Sequence, residues 1–257
     1  MSPAPFDTAG FGLDGRVVLL TGASSGIGER FARVLHAAGG HLVLAARRAD
    51  RIEALAGELE GAVAVPCDVT RDDDLRRLVT EALDRHGRID VLVNNAGIAD
   101  PQPAEDEPVD LFRDVLAVNL TAAFVLTQLV GNHMLDAGRG VVVNVASVLG
   151  LVAAGQIPQA GYTASKGGLV NLTRELAAQW ARRGVRVNAL APGWFRTEMT
   201  ELMFEDEGGR RWIRRKTPMG RPGEPGELDG PLLFLASDAS SYVTGHVLTV
   251  DGGWTAV

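Results

Sequence analysis

The sequence predicts an α/β fold: one domain over 1–257, built on a doubly wound parallel sheet of about seven strands with helices on both faces. Three observations predict it. From Arg16 onward, short β-branched runs alternate with longer helical patterns, the order that builds parallel sheets. The runs are apolar at nearly every position, as strands covered on both sides require. A glycine-rich turn joins the first run to the first helical pattern, as in Rossmann-type nucleotide-binding domains.

In chain order the strand runs are Val17 to Leu20, Leu42 to Leu44, Val63 to Val65, Val91 to Val93, Val141 to Val145, Val185 to Leu190 and Val247 to Val250. Helical patterns fall near Ile27 to Ala38, Arg51 to Leu59, Asp72 to His86, Leu111 to Leu135, Tyr162 to Arg183 and Glu227 to Ser237. In the third of these, Leu75, Leu78, Val79, Ala82 and Leu83 recur at the spacing of one buried helix face. Asp72, Asp73 and Asp74 open that helix, where the positive end of its dipole favours negative charge. The acidic run therefore reads as a solvated helix start. No repeat or interdomain linker interrupts the pattern. The Pro/Gly-rich stretch 218–230 separates two helical patterns, and the stretch before it mixes charges with Met199, Leu202, Met203, Phe204, Trp212 and Ile213. Residues 196–216 are expected to form a lid over a substrate.

A chain of 257 residues, 46% hydrophobic and 22% charged, can bury a sizeable core. Its formal net charge of -7 disfavours nucleic acid and anionic membranes as partners, because both attract basic surfaces. No uninterrupted apolar run approaches the ~18 residues of a membrane span, and Met1 to Gly12 lacks the basic start and apolar core of a signal peptide. A cytoplasmic location is expected. The single cysteine, Cys67, excludes an internal disulfide, fits a reducing compartment and reads as a small buried hydrophobe. The five histidines, His36, His41, His86, His133 and His246, lack metal-ligand spacing, so no metal is expected.

The first strand runs into Thr21-Gly22-Ala23-Ser24-Ser25-Gly26-Ile27-Gly28 and then a helix. A strand, a glycine-rich turn and a helix N-terminus make an anion site: glycines let backbone amides approach a pyrophosphate, and the helix dipole favours its charge. The spacing G-x-x-x-G-x-G departs from the general dinucleotide fingerprint G-x-G-x-x-G, so its place after the first strand carries the argument. At the end of the second strand an NAD site usually offers an acid to the ribose hydroxyls. Here Ala46 takes that position, followed by Arg47 and Arg48, whose guanidinium groups suit a 2'-phosphate. NADP is expected, with NAD possible. Solvated charge at a helix start is the competing reading of the arginine pair.

Ser147 follows the fifth strand, and Tyr162 and Lys166 stand four apart on a helical pattern. That spacing puts both side chains on one face, near enough for an ammonium to stabilise a phenolate. An unperturbed tyrosine, with a pKa of about 10, is a poor acid or base near neutrality, and a neighbouring cation supplies what it lacks. Ser147 is placed to hydrogen-bond a substrate oxygen. Between them the loop Gly155-Gln156-Ile157-Pro158-Gln159 is expected to shape the substrate pocket. Val148, Leu149, Gln156, Ile157, Trp194, Met199, Met203 and Phe204 are candidates for its walls, with core packing as the alternative for each.

With these residues on view, the chain from Leu13 to Trp254 resembles the short-chain dehydrogenases/reductases. The matching pieces stand in the family's order: Thr21 to Gly28, Asp68-Val69, Asn94-Asn95-Ala96-Gly97, Asn119, Ser147, Tyr162 with Lys166, Pro192-Gly193 and Asp251-Gly252-Gly253. The resemblance implies that Tyr162 is the general acid in reduction and the base in oxidation. Ser147 would position the carbonyl oxygen, and Lys166 would lower the tyrosine pKa and bind the nicotinamide ribose. Asn119 would maintain a water-linked proton path. It further implies a cofactor site formed by Gly22, Ser24, Ser25, Gly26, Ile27, Gly28, Asp68, Val69, Asn95, Ala96, Gly97, Pro192, Gly193 and Thr197, beside Asn119, Tyr162 and Lys166, and a homotetramer joined through 111–135, 162–183 and the C-terminal segment. Asn119 as a backbone anchor, Asp68 as a turn cap and Thr197 as a helix start are the plainer readings.

The expected function is therefore NADP(H)-preferring hydride transfer between nicotinamide and a small ketone or alcohol. An NAD-dependent alcohol or polyol dehydrogenase and a non-catalytic nucleotide sensor are the alternatives. Among substrates, carrier-protein thioesters, sugars or polyols and cyclic ketones stay open. Arg210, Arg211, Arg214, Arg215 and Lys216 would suit an acidic carrier protein, or equally a solvated helix face.

Overall fold

The computed structural model describes residues 8–257. Its seven strands are β1 Val17–Thr21, β2 His41–Ala46, β3 Val63–Pro66, β4 Val91–Asn94, β5 Gly140–Val145, β6 Val185–Pro192 and β7 Val247–Val250. All pair in parallel, in the order β3-β2-β1-β4-β5-β6-β7. The helices are α1 Gly26–Ala37, α2 Ala49–Glu58, α3 Asp72–His86, α4 Val109–Leu116, α5 Ala122–Asp136, α6 Ala160–Trp180, α7 Glu201–Glu205, α8 Glu207–Lys216 and α9 Asp229–Ala236, with short 3-10 turns between some of them. The expected α/β architecture, a parallel sheet of seven strands with helices on both faces, is thus present.

Alternate residues of each apolar strand serve opposite faces of the sheet, which is why the strands read as continuous runs. Val18, Leu20, Leu42 and Leu44 pack with Phe31 and Leu35 of α1 and Leu232 and Leu235 of α9. Val17, Leu19, Val43 and Ala45 pack instead with Leu75 and Leu78 of α3, Leu126 and Val130 of α5 and Leu176 of α6. Removing a buried leucine from either layer would cost about 2–5 kcal/mol. Cys67 lies in the second layer as a buried hydrophobe.

The helical stretch expected over 111–135 is divided. A π turn at Ala117–Thr121 interrupts it between α4 and α5, with the Ala122 N–H bonded back to the Ala117 carbonyl. The wider turn carries one extra residue and brings Asn119 inward, to 1% exposure. Apolar periodicity does not reveal such a turn, because helix continues on either side of it. Val109–Asp136 is also long and apolar enough to cross a membrane by length and composition, with a mean hydropathy of 1.5 in its best window. Here Leu126, Val130 and Met134 are buried in the layer beneath the sheet. Residues 196–216 contain two helices, α7 and α8, and Arg210, Arg211, Arg214, Arg215 and Lys216 all fall on α8.

The order reverses between the paired strands β1 and β4: the chain proceeds from β1 to β2 on one side and from β4 to β5 on the other. This switch point is where open α/β sheets bind ligands, and it opens into a groove of about 550 Å³.

Candidate active site

The groove floor is the turn after β1. Gly22 and Gly26 adopt the left-handed region, with φ of 69° and 56°. A Cβ on Gly22 would stand 2.8 Å from the Ala96 Cα, and one on Gly28 would stand 2.1 Å from the Gly22 carbonyl oxygen. Only glycine lets the turn, α1 and the loop after β4 approach this closely. Asn95 locks the turn: its Nδ2 donates to the carbonyls of Thr21 (3.0 Å) and Gly22 (3.2 Å). Thr21 Oγ1 accepts from the amides of Asn95 and Ala96, each at 3.1 Å. A rigid cradle at a helix N-terminus, barred to side chains, fits a dinucleotide pyrophosphate.

Ser24, Ser25, Ile27, Arg47, Arg48, Asp68, Val69, Ala96 and Gly97 line the same groove, together with Pro192, Gly193 and Thr197. Asn94 does not. It faces the helix layer, where Nδ2 donates to Thr127 Oγ1 (2.8 Å) and Asn144 Oδ1 (2.9 Å), and Asn144 donates on to Thr173 (2.9 Å). Strand alternation explains the split: Asn94 is the last residue of β4, and Asn95 turns the opposite way. Asp68 caps its turn through Thr70 and also lines the groove, so both readings hold. Thr197 starts no helix; its amide donates to Thr200 Oγ1 at 3.0 Å.

At the other end of the groove stand Ser147, Tyr162 and Lys166. Ser147 leaves β5 and accepts the Leu149 amide at 3.1 Å. Tyr162 lies in the first turn of α6 and Lys166 one turn on, with Nζ 5.7 Å from the centre of the phenol ring. The ammonium donates to the Val145 carbonyl at 2.7 Å. Burial pushes the Tyr162 pKa up, opposed by the Ser147 hydroxyl, and pulls Lys166 down to about 8. Desolvation is the larger cause for the tyrosine, and the Lys166 ammonium is held on a carbonyl across the ring face.

Asn119 is an anchor in this structure. Its Oδ1 accepts the Ile98 amide (2.8 Å), and its Nδ2 donates to the Ile98 carbonyl (2.9 Å) and Ser165 Oγ (3.0 Å). These bonds hold the loop after β4 against α6. A Cβ on Gly97 would meet both Asn119 Oδ1 (3.4 Å) and Lys166 Nζ (3.5 Å), so the anchor and the ammonium border the same small residue.

Beside Tyr162 is an apolar cluster of Val148, Leu149, Trp194, Phe204, Ile213 and Trp254, joined by Ile157, Met203 and Trp212. Three indoles meet edge to face there, with ring centres 4.9–5.5 Å apart. The expected wall residues are largely present. Gln156 is the exception, being exposed, while Met199 lines the groove and is 49% exposed. Trp254 was not foreseen: it is remote in sequence, and only β7 beside β6 brings it in.

The sequence profile of the enoyl-(acyl carrier protein) reductase family matches residues 22–255. The chain belongs to the short-chain dehydrogenases/reductases. It is an oxidoreductase of the nicotinamide-dependent kind that acts on CH–OH and C=O groups. Among members of this family, it is 44% identical over 248 residues to galactitol 2-dehydrogenase (L-tagatose-forming) of Cereibacter sphaeroides, covering 95% of this chain and 97% of the relative. It is 41% identical over 246 residues to cis-4-hydroxycyclohexanecarboxylate dehydrogenase of Sinomonas cyclohexanicum, covering 94% and 97%. The crystal structure of a gluconate 5-dehydrogenase from Burkholderia cenocepacia, in complex with NADP and tartrate, superposes with a TM-score of 0.93 at 38% identity, covering 97% and 98%. One groove in this chain is lined by the glycine turn and by Ser147, Tyr162 and Lys166.

Proposed function

We propose that this enzyme interconverts a ketone and a secondary alcohol with NADP(H), using Tyr162 as the proton donor in reduction and the acceptor in oxidation. The observation that carries the reading is that Ser147, Tyr162 and Lys166 share one groove with the glycine turn. Bound nicotinamide gives or takes the hydride. The chain's own residues do the rest. Ser147 presents its hydroxyl to the substrate oxygen, and neutral Tyr162, kept protonated by burial, passes its proton to that oxygen as negative charge develops. Lys166 holds a cation close to the ring, where it offsets the phenolate left behind. Asn119 keeps the loop after β4 in register with α6, and residues 196–216 close over the substrate.

For the substrate, the apolar cluster beside Tyr162 favours a compact cyclic or aliphatic carbonyl compound. Among the described residues the cations lining the groove are Arg47 and Arg48, beside the glycine turn, and Lys166, bound to Val145, so a free carboxylate on a substrate beside Tyr162 would meet only a lysine that already donates to a carbonyl. The identity to galactitol 2-dehydrogenase favours a second reading, a polyol. A panel of cyclohexanones, polyols and keto-sugar acids, followed by nicotinamide absorbance, separates the two. Tyr162→Phe should lower turnover by about 10²–10⁴ while cofactor still binds. Tight NADP binding without turnover on any carbonyl or alcohol would replace the enzyme reading with a sensor. The homotetramer reading is supported by Val109 and Phe124, which stand exposed on α4 and α5; the mass in solution tests it.

A further inference from the structure

Beside the glycine turn, where β2 ends, one arginine of the pair, Arg48, is already engaged. Arg48 Nε donates to Ser24 Oγ at 3.1 Å and Nη2 to Ser25 Oγ at 2.5 Å. Its remaining Nη1 donates to Glu198 Oε2 at 3.1 Å, while Arg51 Nη1 donates to Glu198 Oε1 at 2.6 Å. One carboxylate thus lies between two guanidinium groups beside two serine hydroxyls, the donor set that a phosphate monoester takes. Glu198 comes from far away in the chain, at the start of the segment that leads into α7 and α8. Its neighbour Thr197 lies over the turn, so close that a Cβ on Gly26 would meet the Thr197 Cβ at 3.5 Å. The contact therefore crosses the groove and ties 196–216 to the N-terminus of α2.

Resting on the NADP reading above, we infer that Glu198 is a built-in surrogate for the 2'-phosphate of NADP, which displaces it from Arg48 and Arg51 and so releases the segment that covers the substrate. Arg51, absent from the expected cofactor residues, becomes a ligand of that phosphate. NAD carries no group that competes, so it binds with the Glu198 contact intact. The displacement is favourable because a phosphate dianion brings about twice the charge and one more acceptor oxygen. Glu198 is held well below the usual carboxylate range, to about 2, first by Arg51 and then by Ser25 and Arg48. It stays ionised throughout the working range, whereas a phosphate monoester gains a proton near pH ~6. Preference for the phosphate should therefore weaken below that pH.

The test uses adenosine 2',5'-bisphosphate and adenosine 5'-monophosphate as probes, neither of which carries nicotinamide, with binding read by calorimetry. In wild type the bisphosphate should bind more tightly and should alter tryptophan emission through Trp212 on α8; the monophosphate should leave emission unchanged. Glu198→Gln removes the competing charge from two exposed ion pairs and should tighten the bisphosphate about three- to tenfold while leaving the monophosphate unaffected. Arg51→Ala should weaken the bisphosphate alone. Unchanged or weaker bisphosphate binding in Glu198→Gln, or equal tightening of both probes, overturns the surrogate role and leaves the NADP reading standing. Wild type that fails to distinguish the probes overturns both.

Discussion

Lys166 Nζ lies 5.7 Å from the centre of the Tyr162 ring while donating its proton to the Val145 carbonyl at 2.7 Å. One buried ammonium is thus shared between the end of β5 and the face of the Tyr162 ring. Burial accounts for the directions of both pKa shifts: each group is taken out of water, and the ammonium's hydrogen bond goes to a neutral carbonyl. The tyrosine moves up and the lysine comes down.

The first prediction concerns pH. Since Lys166 releases its proton at about 8 and Tyr162 sits above its ordinary value of about 10, kcat/KM for carbonyl reduction should fall above pH about 8 with the slope of one proton. Lys166→Arg, which keeps its charge, should carry that limb to higher pH. A wild-type profile flat to pH 10 would sink the assignment. The linkage to stability has the opposite sign. Between about pH 8 and 10.5 the unfolded chain holds more protons than the folded one at this group, so its contribution becomes more favourable as pH rises.

The second prediction separates Asn119's two readings. Asn119→Ala leaves the Ile98 amide and carbonyl without side-chain partners and should lower stability by about 1–3 kcal/mol in chemical denaturation. If positioning is its whole contribution, the variant's kcat should return when Ile98 is held in place by cofactor at saturation. A kcat that stays depressed at saturating cofactor, in a folded variant, would instead support the water-linked proton path.

The third prediction concerns Cys67, which lines the groove yet is almost fully buried. Desolvation, reinforced by Asp74, pushes its thiol to about 12, so almost no thiolate exists at neutral pH. A disulfide reagent at pH 8 should label the native protein far more slowly than the unfolded chain, and bound NADP should slow it further. Full labelling of native protein within minutes would contradict this. Above pH ~8.5 the unfolded thiol ionises first, so this group makes folding less favourable as pH rises, against the Lys166 contribution.

Much of the fold was legible in the residues because its signals are local. Strands buried on both faces must be apolar at successive positions, and Val17 to Leu20 and Val141 to Val145 show it without any knowledge of partners. The same holds for the glycine turn, whose function follows from backbone freedom, and for Tyr162 and Lys166, whose shared face follows from helix pitch. Asn119 was found only by resemblance, because a lone asparagine in an apolar helix carries no pattern.

By itself, then, the sequence determined the alternation of strands and helices, the glycine turn after β1 and the shared face of Tyr162 and Lys166, all set by spacing along one segment. Tertiary structure decided what depends on distant segments meeting. It turned Asn119 inward through a π turn, gathered Trp194, Trp212 and Trp254 into one wall, moved the pKa values of Tyr162 and Lys166 by burial, and laid Glu198 between Arg48 and Arg51. The physical reason is that desolvation and ion pairing depend on separation in space, and Glu198 lies about 150 residues from its partners along the chain.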